Sequence, residues 1–164
     1  MKKLYLIGGP MGVGKTTVCQ FMKQKLNSSV FLDGDWCWDM HPFCITEETK
    51  AMVVDNICHL LNNFLHCTVY ENILFCWVMH QQSIIEAICS KLDLIDTVCF
   101  SVSLICTEER LRERLHKDIH AGIRSMDVIE RSAARVPFYE KLDTIKIDVT
   151  NITAEQAAER IMDL

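Results

Sequence analysis

Residues 9–16 read Gly9-Pro10-Met11-Gly12-Val13-Gly14-Lys15-Thr16, directly after the apolar run Leu4-Tyr5-Leu6-Ile7. The octapeptide satisfies every fixed position of G-x-x-x-x-G-K-[ST], and its surroundings are the strand before and helix behind that the motif requires. Val18, Met22 and Leu26, four residues apart, supply one face of that helix. Glycines let the backbone curl until successive N–H groups face one concavity, and the helix N-terminus adds partial positive charge. Gly9, Met11, Gly12, Val13, Gly14, Lys15, Thr16 and Thr17 are therefore the expected holders of a nucleoside triphosphate. Lys15 reaches toward the β- and γ-phosphates, and the Thr16 hydroxyl is placed to ligate Mg2+. A dinucleotide fold is excluded because Gly12-Val13-Gly14 runs into Lys15-Thr16-Thr17 with no third glycine.

Outward from the motif, apolar runs and helical stretches alternate. Strands are expected at residues 4–7, 30–32, 73–78, 98–104 and 145–149, with helices between them. Thr46 before Glu47-Glu48, Thr107, and Thr153-Ala154-Glu155-Gln156 mark helix starts. A helix from Asp127 to Val136 is expected to stop before Pro137, and the polar stretch 118–125 around Gly122 reads as a loop. Five strands alternating with helices imply a parallel sheet covered on both faces, a three-layer α/β domain. At 164 residues, 49% of them apolar and 24% charged, the chain suits one globular domain, residues 1–164.

The net charge is -5, from 22 acidic and 17 basic residues, which disfavours a nucleic-acid partner. No apolar run approaches the ~18 residues of a membrane span, and Gly8-Gly9-Pro10 cuts the first run too short for a secretory leader. A cytoplasmic protein with no membrane partner, monomeric or homodimeric, is the expectation. Nine cysteines without a C-x-x-C pair read as free thiols in a reducing compartment. Cys58-His59 and His66-Cys67 lie about two turns apart on one helix and cannot converge as a metal site alone.

The chain resembles the small P-loop phosphotransferases that include shikimate kinase, gluconate kinase and chloramphenicol phosphotransferase. The resemblance spans nearly the whole length. It rests on the loop 9–17, on Asp33-Gly34-Asp35 after the second strand, on the arginine-rich segment after the fourth, and on Ile147-Asp148-Val149-Thr150-Asn151 before the last helix. It implies sheet order 2-3-1-4-5, ATP and Mg2+ as cofactors, and a short lid at about 117–126.

Phosphoryl transfer needs a carboxylate near both metal and nucleophile. The third strand ends in Met79-His80 without one, so the burden falls on Asp33 and Asp35 at the carboxyl end of the second strand. The resemblance assigns Asp33 to the Mg2+ shell and Asp35 to the acceptor hydroxyl, and the two roles remain exchangeable. It also makes Arg114 the residue that stacks on adenine and Arg124 a transition-state arginine of the lid, with Arg131 and Arg135 able to reach nucleotide or acceptor. Arg110 and Arg112 read as solvated partners of Glu108, Glu109 or Glu113.

Residues 34–97 form the acceptor side in these kinases, and here they hold no arginine and only Lys50 and Lys91. Arginine's planar fork is the usual grip on phosphate or carboxylate. The segment offers Trp36 and Trp38 at alternate positions as walls of a pocket, and later Trp77, Met79 and His80. The expected function is ATP- and Mg2+-dependent phosphoryl transfer to a hydroxyl of a small neutral or cationic acceptor: a nucleoside, a sugar-like metabolite or an antibiotic. Two rival readings are a nucleoside monophosphate or shikimate-type kinase, and a nucleotide-binding regulatory protein without kinase activity.

Overall fold

The run Leu4–Ile7 lies inside strand β1 (Lys2–Gly8), which is the central strand of the sheet in a computed structural model describing residues 1–164. Leu4, Tyr5, Leu6 and Ile7 are all buried, because each faces one or other helical layer and a parallel sheet so covered needs no polar side. The other strands are β2 (Ser29–Asp33), β3 (Asn72–Cys76), β4 (Thr97–Ile105) and β5 (Ile145–Asp148). All pair in parallel, in the order β2-β3-β1-β4-β5.

Seven α-helices connect and cover them: α1 (Lys15–Lys25), α2 (Glu47–His66), α3 (Gln82–Cys89), α4 (Glu108–His120), α5 (Val128–Ala133), α6 (Val136–Glu140) and α7 (Ala154–Met162). Two apolar clusters flank the sheet. One joins Tyr5 and Ile7 of β1 to Val18 and Met22 of α1, Leu111 and Leu115 of α4 and Ile161 of α7. The other joins Leu4 and Leu6 to Val53, Ile57 and Leu61 of α2 and Ile85 and Ile88 of α3. Alternate β1 side chains thus feed opposite layers, as the period of a strand dictates.

Capping sets several boundaries. Thr46 closes a capping box with Thr49, Thr153 closes one with Gln156, and the Thr107 hydroxyl accepts from Arg110 N–H at 3.3 Å. No helix is long and apolar enough to cross a membrane.

Three local expectations are corrected. The expected helix 127–136 is two pieces, and Pro137 sits in the first turn of α6, where its missing N–H has no intrahelical acceptor to satisfy. Strand β3 ends at Cys76, so Trp77 and Val78 lie beyond it on the rim of the sheet. Gly34–Trp38 form a 3-10 helix, whose three-residue turn sends residues two apart to different sides. Trp36 accordingly packs edge-on to Phe31, while Trp38 packs with the α2 layer and Phe43, and the two rings do not share a wall.

Candidate active site

The carboxyl ends of β1, β2 and β3 converge on the glycine loop. Gly12 and Gly14 hold φ of +84° and +105°, a region open mainly to glycine, and Gly14 caps α1 without offering a side-chain acceptor. The first turn of α1 also contains no acidic residue, while Lys23 and Lys25 occupy the last turn. The N-terminal amides and dipole of α1 therefore receive no counter-charge from the helix's own first turn.

The loop is fastened from outside. The Ser132 hydroxyl of α5 donates to Met11 O at 2.7 Å. Arg114 of α4 donates to Val13 O at 2.9 Å and to Val149 O at 2.7 Å, tying the loop to the turn after β5. A cleft of about 150 Å3 lies there, lined by Gly12, Val13, Gly14, Thr17, Arg114, Val149 and Ile152 among others. Its polar groups are the guanidinium, the Thr17 hydroxyl and the backbone, set among the apolar side chains of Val13, Val18, Val149 and Ile152. A larger cavity of about 280 Å3 lies between Pro10, Thr107, Val136, Tyr139 and Asp148, and its lining includes neither Lys15 nor Asp33 nor Asp35.

Lys15 Nζ donates to Gly9 O at 2.9 Å and Pro10 O at 3.0 Å, folded back over the loop. Burial holds its ammonium below the ordinary value, and the nearby Cys76, Asp35 and Asp33 oppose that shift. The Thr16 hydroxyl donates to Asp33 Oδ2 at 2.7 Å, and Asp33 Oδ1 accepts from the Asp35 N–H at 3.0 Å. Asp33 is only 7% exposed and has both oxygens engaged. The Thr16 and Asp33 oxygens are hard donors side by side, the chemistry that suits Mg2+. Burial raises the Asp35 carboxyl above the usual range and Asp33 adds to the rise. Lys15, Arg124 and the nearby Trp77 side chain oppose it.

Arg124 lies in the irregular segment 121–127 between α4 and α5, and donates through Nε to Asp118 Oδ2 at 3.1 Å. It is close enough to influence both Lys15 and Asp35. Arg131 and Arg135 do not share a helix face: Arg131 pairs with Asp127 at 3.5 Å in the open, while Arg135 caps α6 beside His80. His80 Nδ1 is buried without a partner, and burial followed by Arg135 holds the imidazole below its ordinary value. Met79 is buried against Gly8, in the core and away from the open side. Arg110 and Arg112 pair with Glu113 at 2.6 Å and Glu108 at 2.8 Å.

Sequence reasoning missed Ser132 and Cys76, whose sulfur is 3.9 Å from the Thr16 hydroxyl. Only Cys76 carries a local signal, its position at the end of the third apolar run.

The AAA domain family matches residues 6–134. The chain belongs to that family. No curated protein matches it in sequence. Among solved structures, the AAA-domain chain resembles the Deinococcus radiodurans tunicamycin resistance protein, with a TM-score of 0.72 and 17% identity over 99% of this chain and 95% of that one. It also resembles a Sinorhizobium meliloti gluconokinase (TM-score 0.68, 15% identity, 98% and 94% covered). A third likeness is to an Acinetobacter baumannii shikimate kinase in complex with shikimate (0.62, 20%, 99% and 92%). At these identities the likeness is one of fold, that of the small-molecule P-loop kinases.

Proposed function

We propose that this protein transfers the terminal phosphoryl group of ATP, with Mg2+, to a hydroxyl of a small neutral or cationic acceptor. The observation that carries the reading is the Thr16–Asp33–Asp35 chain of hydrogen bonds beside Lys15, at the sheet edge where open α/β folds bind ligands. Thr16 and Asp33 would hold Mg2+, which when bound neutralises charge on the phosphates. The loop amides and Lys15 grip the triphosphate, Lys15 exchanging its bonds to Gly9 O and Pro10 O for phosphate oxygens. Arg114 lines the cleft for the base, and Arg124 brings a guanidinium from 121–127 toward the transferring group. Asp35 accepts from the acceptor hydroxyl and orients it in line; with Asp33 already committed to Thr16 and to the Asp35 amide, Asp35 is the acid with a carboxylate to spare. The segment 117–126 would act as the lid of a single domain.

The absence of arginine from residues 34–97 supports an uncharged or cationic acceptor such as a nucleoside, a sugar-like metabolite or an antibiotic. One observation favours a second reading, an anionic acceptor: Arg135 stands beside His80 at the rim following β3. Transfer of radiolabelled phosphate from ATP to a panel of neutral, cationic and anionic alcohols separates the two. Turnover of neutral or cationic members supports the first reading; turnover confined to carboxylates or monophosphates replaces it with the second. Asp35→Asn is expected to bind ATP normally and to lose transfer, and wild-type turnover in that variant would remove Asp35 from the reaction.

A further inference from the structure

We propose that Ser132 is a positioning residue for the phosphate loop: by holding Met11 O it fixes the Met11–Gly12 peptide with the Gly12 N–H turned to the triphosphate. The inference rests on the phosphotransfer reading above and adds to it a residue of α5, outside the loop motif.

The hydrogen bonds of the loop show which of its groups are committed. Gly9 O and Pro10 O accept from Lys15 Nζ, Val13 O accepts from Arg114, and Gly14 O accepts from the Val18 N–H at 3.0 Å. Met11 O accepts from the Ser132 hydroxyl at 2.7 Å, across 121 residues of sequence. The Val13 N–H turns back to Pro10 O at 3.3 Å. The Gly12 and Gly14 N–H groups donate to nothing within the chain. Each belongs to a peptide whose carbonyl is held from outside, by Ser132 for Gly12 and by Arg114 for Gly14. In a planar trans peptide the C=O and N–H point opposite ways. A carbonyl drawn toward α5 therefore turns the Gly12 N–H away from α5, as a donor free for an anion.

The tie is needed because the peptide beside a glycine turns over readily. Glycine accepts either sign of φ, and Gly12 sits at +84°. Turned over, the peptide would present Met11 O to the phosphates, a carbonyl dipole against a polyanion. Ser132 is placed to prevent that. It is 1% exposed, so its hydroxyl is shielded from water. Val128 and Ile129 of the same helix are buried with Leu111 and Leu115 of α4, which fixes where the hydroxyl stands. A serine within a helix commonly bonds back to its own carbonyls; this hydroxyl leaves its helix for the loop. Because α5 follows directly on residues 121–127, the bond also joins the segment carrying Arg124 to the loop.

The test reads this one peptide. Met11–Gly12 is the chain's one Met-Gly pair, so protein carrying 13C-carbonyl methionine and 15N-glycine gives a single carbonyl–amide cross-peak. Ser132→Ala is expected to move the Met11 carbonyl signal upfield, as loss of an accepted hydrogen bond does. In calorimetry well below the melting temperature, Ser132→Ala is expected to bind MgATP about tenfold more weakly than the wild type. A tie that only steadied the fold would lower the melting temperature and leave that affinity unchanged. Ser132→Cys, of similar shape with a weak S–H donor, should fall between the two proteins in both measurements, and it carries the test if Ser132→Ala does not fold. An unmoved cross-peak, or wild-type affinity for MgATP, overturns the proposal. Failure of the wild-type protein to bind MgATP would instead overturn the phosphotransfer reading, and with it the purpose given to Ser132, while the cross-peak still reports whether Ser132 sets the peptide.

Discussion

The Thr16 hydroxyl on the first turn of α1 donates a 2.7 Å hydrogen bond to Asp33 Oδ2 at the end of β2, joining the phosphate loop to the acid turn. The bond crosses from helix to strand over 17 residues of sequence and gives a nearly buried carboxylate one of its two partners. Thr16→Val keeps the shape and removes the donor. It should cost about 1–3 kcal/mol of stability, the usual penalty for leaving a buried acceptor short of a partner. It should also abolish the magnesium dependence of nucleotide affinity, and Thr16→Ser should restore both. Urea unfolding and ATP titrations with and without Mg2+ measure the two effects; a Thr16→Val protein that keeps its magnesium dependence would contradict the assignment.

The loop glycines separate packing from binding. A Cβ at Gly12 would lie 2.5 Å from Leu115 Cδ2, whereas a Cβ at Gly14 meets nothing within 4 Å. Both positions have positive φ, so each alanine carries backbone strain of about 1–3 kcal/mol. Gly12→Ala should therefore show the larger fall in thermal stability, since α4 must also shift. Gly14→Ala should show the smaller fall and still lose ATP affinity, because its open space is where phosphate is expected. Equal affinity of Gly14→Ala and wild-type protein would count against the site.

Arg114 bridges two carbonyls, Val13 O and Val149 O, that belong to segments far apart in the chain. A lysine supplies one point charge and cannot span both with the geometry of a planar fork. Arg114→Lys and Arg114→Ala should thus both loosen the loop from the β5–α7 turn, each losing about 1–3 kcal/mol of stability together with nucleotide affinity. Calorimetric melting of the three proteins checks this, with retention of wild-type stability in Arg114→Lys as the contrary result.

His80 sets an acid-side limit on stability. Its folded-state pKa lies below the ordinary 6.5, through burial first and Arg135 second. The unfolded chain therefore takes up the proton at a higher pH than the folded one. Its contribution to stability is fully present above about 6.5 and is lost as pH falls through the folded pKa. His80→Gln should flatten that part of the curve. Urea unfolding from pH 7.5 to 5 should show the wild type losing ground to the variant, and parallel curves would show that His80 is not the group responsible.

How much of this was legible in the sequence follows from the range of the interactions involved. The loop, its strand and its helix are specified by contiguous residues, so Gly9–Thr16 could be read directly, as could Thr46, Thr107 and Thr153 as helix starts. The strand order came with the resemblance and matches the structure. Three features were not legible, for separate reasons. Pro137 is compatible with either the end of one helix or the first turn of another, and only packing chooses. Trp36 and Trp38 alternate like strand residues but lie on a 3-10 turn begun by the Asp33 cap. The bonds from Ser132 and Arg114 to the loop carbonyls join residues about a hundred positions apart, with backbone acceptors that leave no pattern in side-chain identity.

The most direct measurement is isothermal calorimetry of ATP and GTP binding in the presence of Mg2+, on the wild-type protein and Lys15→Ala. A phosphate loop with Thr16 and Asp33 beside it predicts saturable one-site binding of at least one of the two nucleotides by the wild type. It also predicts affinity weakened tenfold or more, about 1.4 kcal/mol, in Lys15→Ala. No binding heat from either nucleotide across a range of temperatures, or equal affinity of the two proteins, would contradict it.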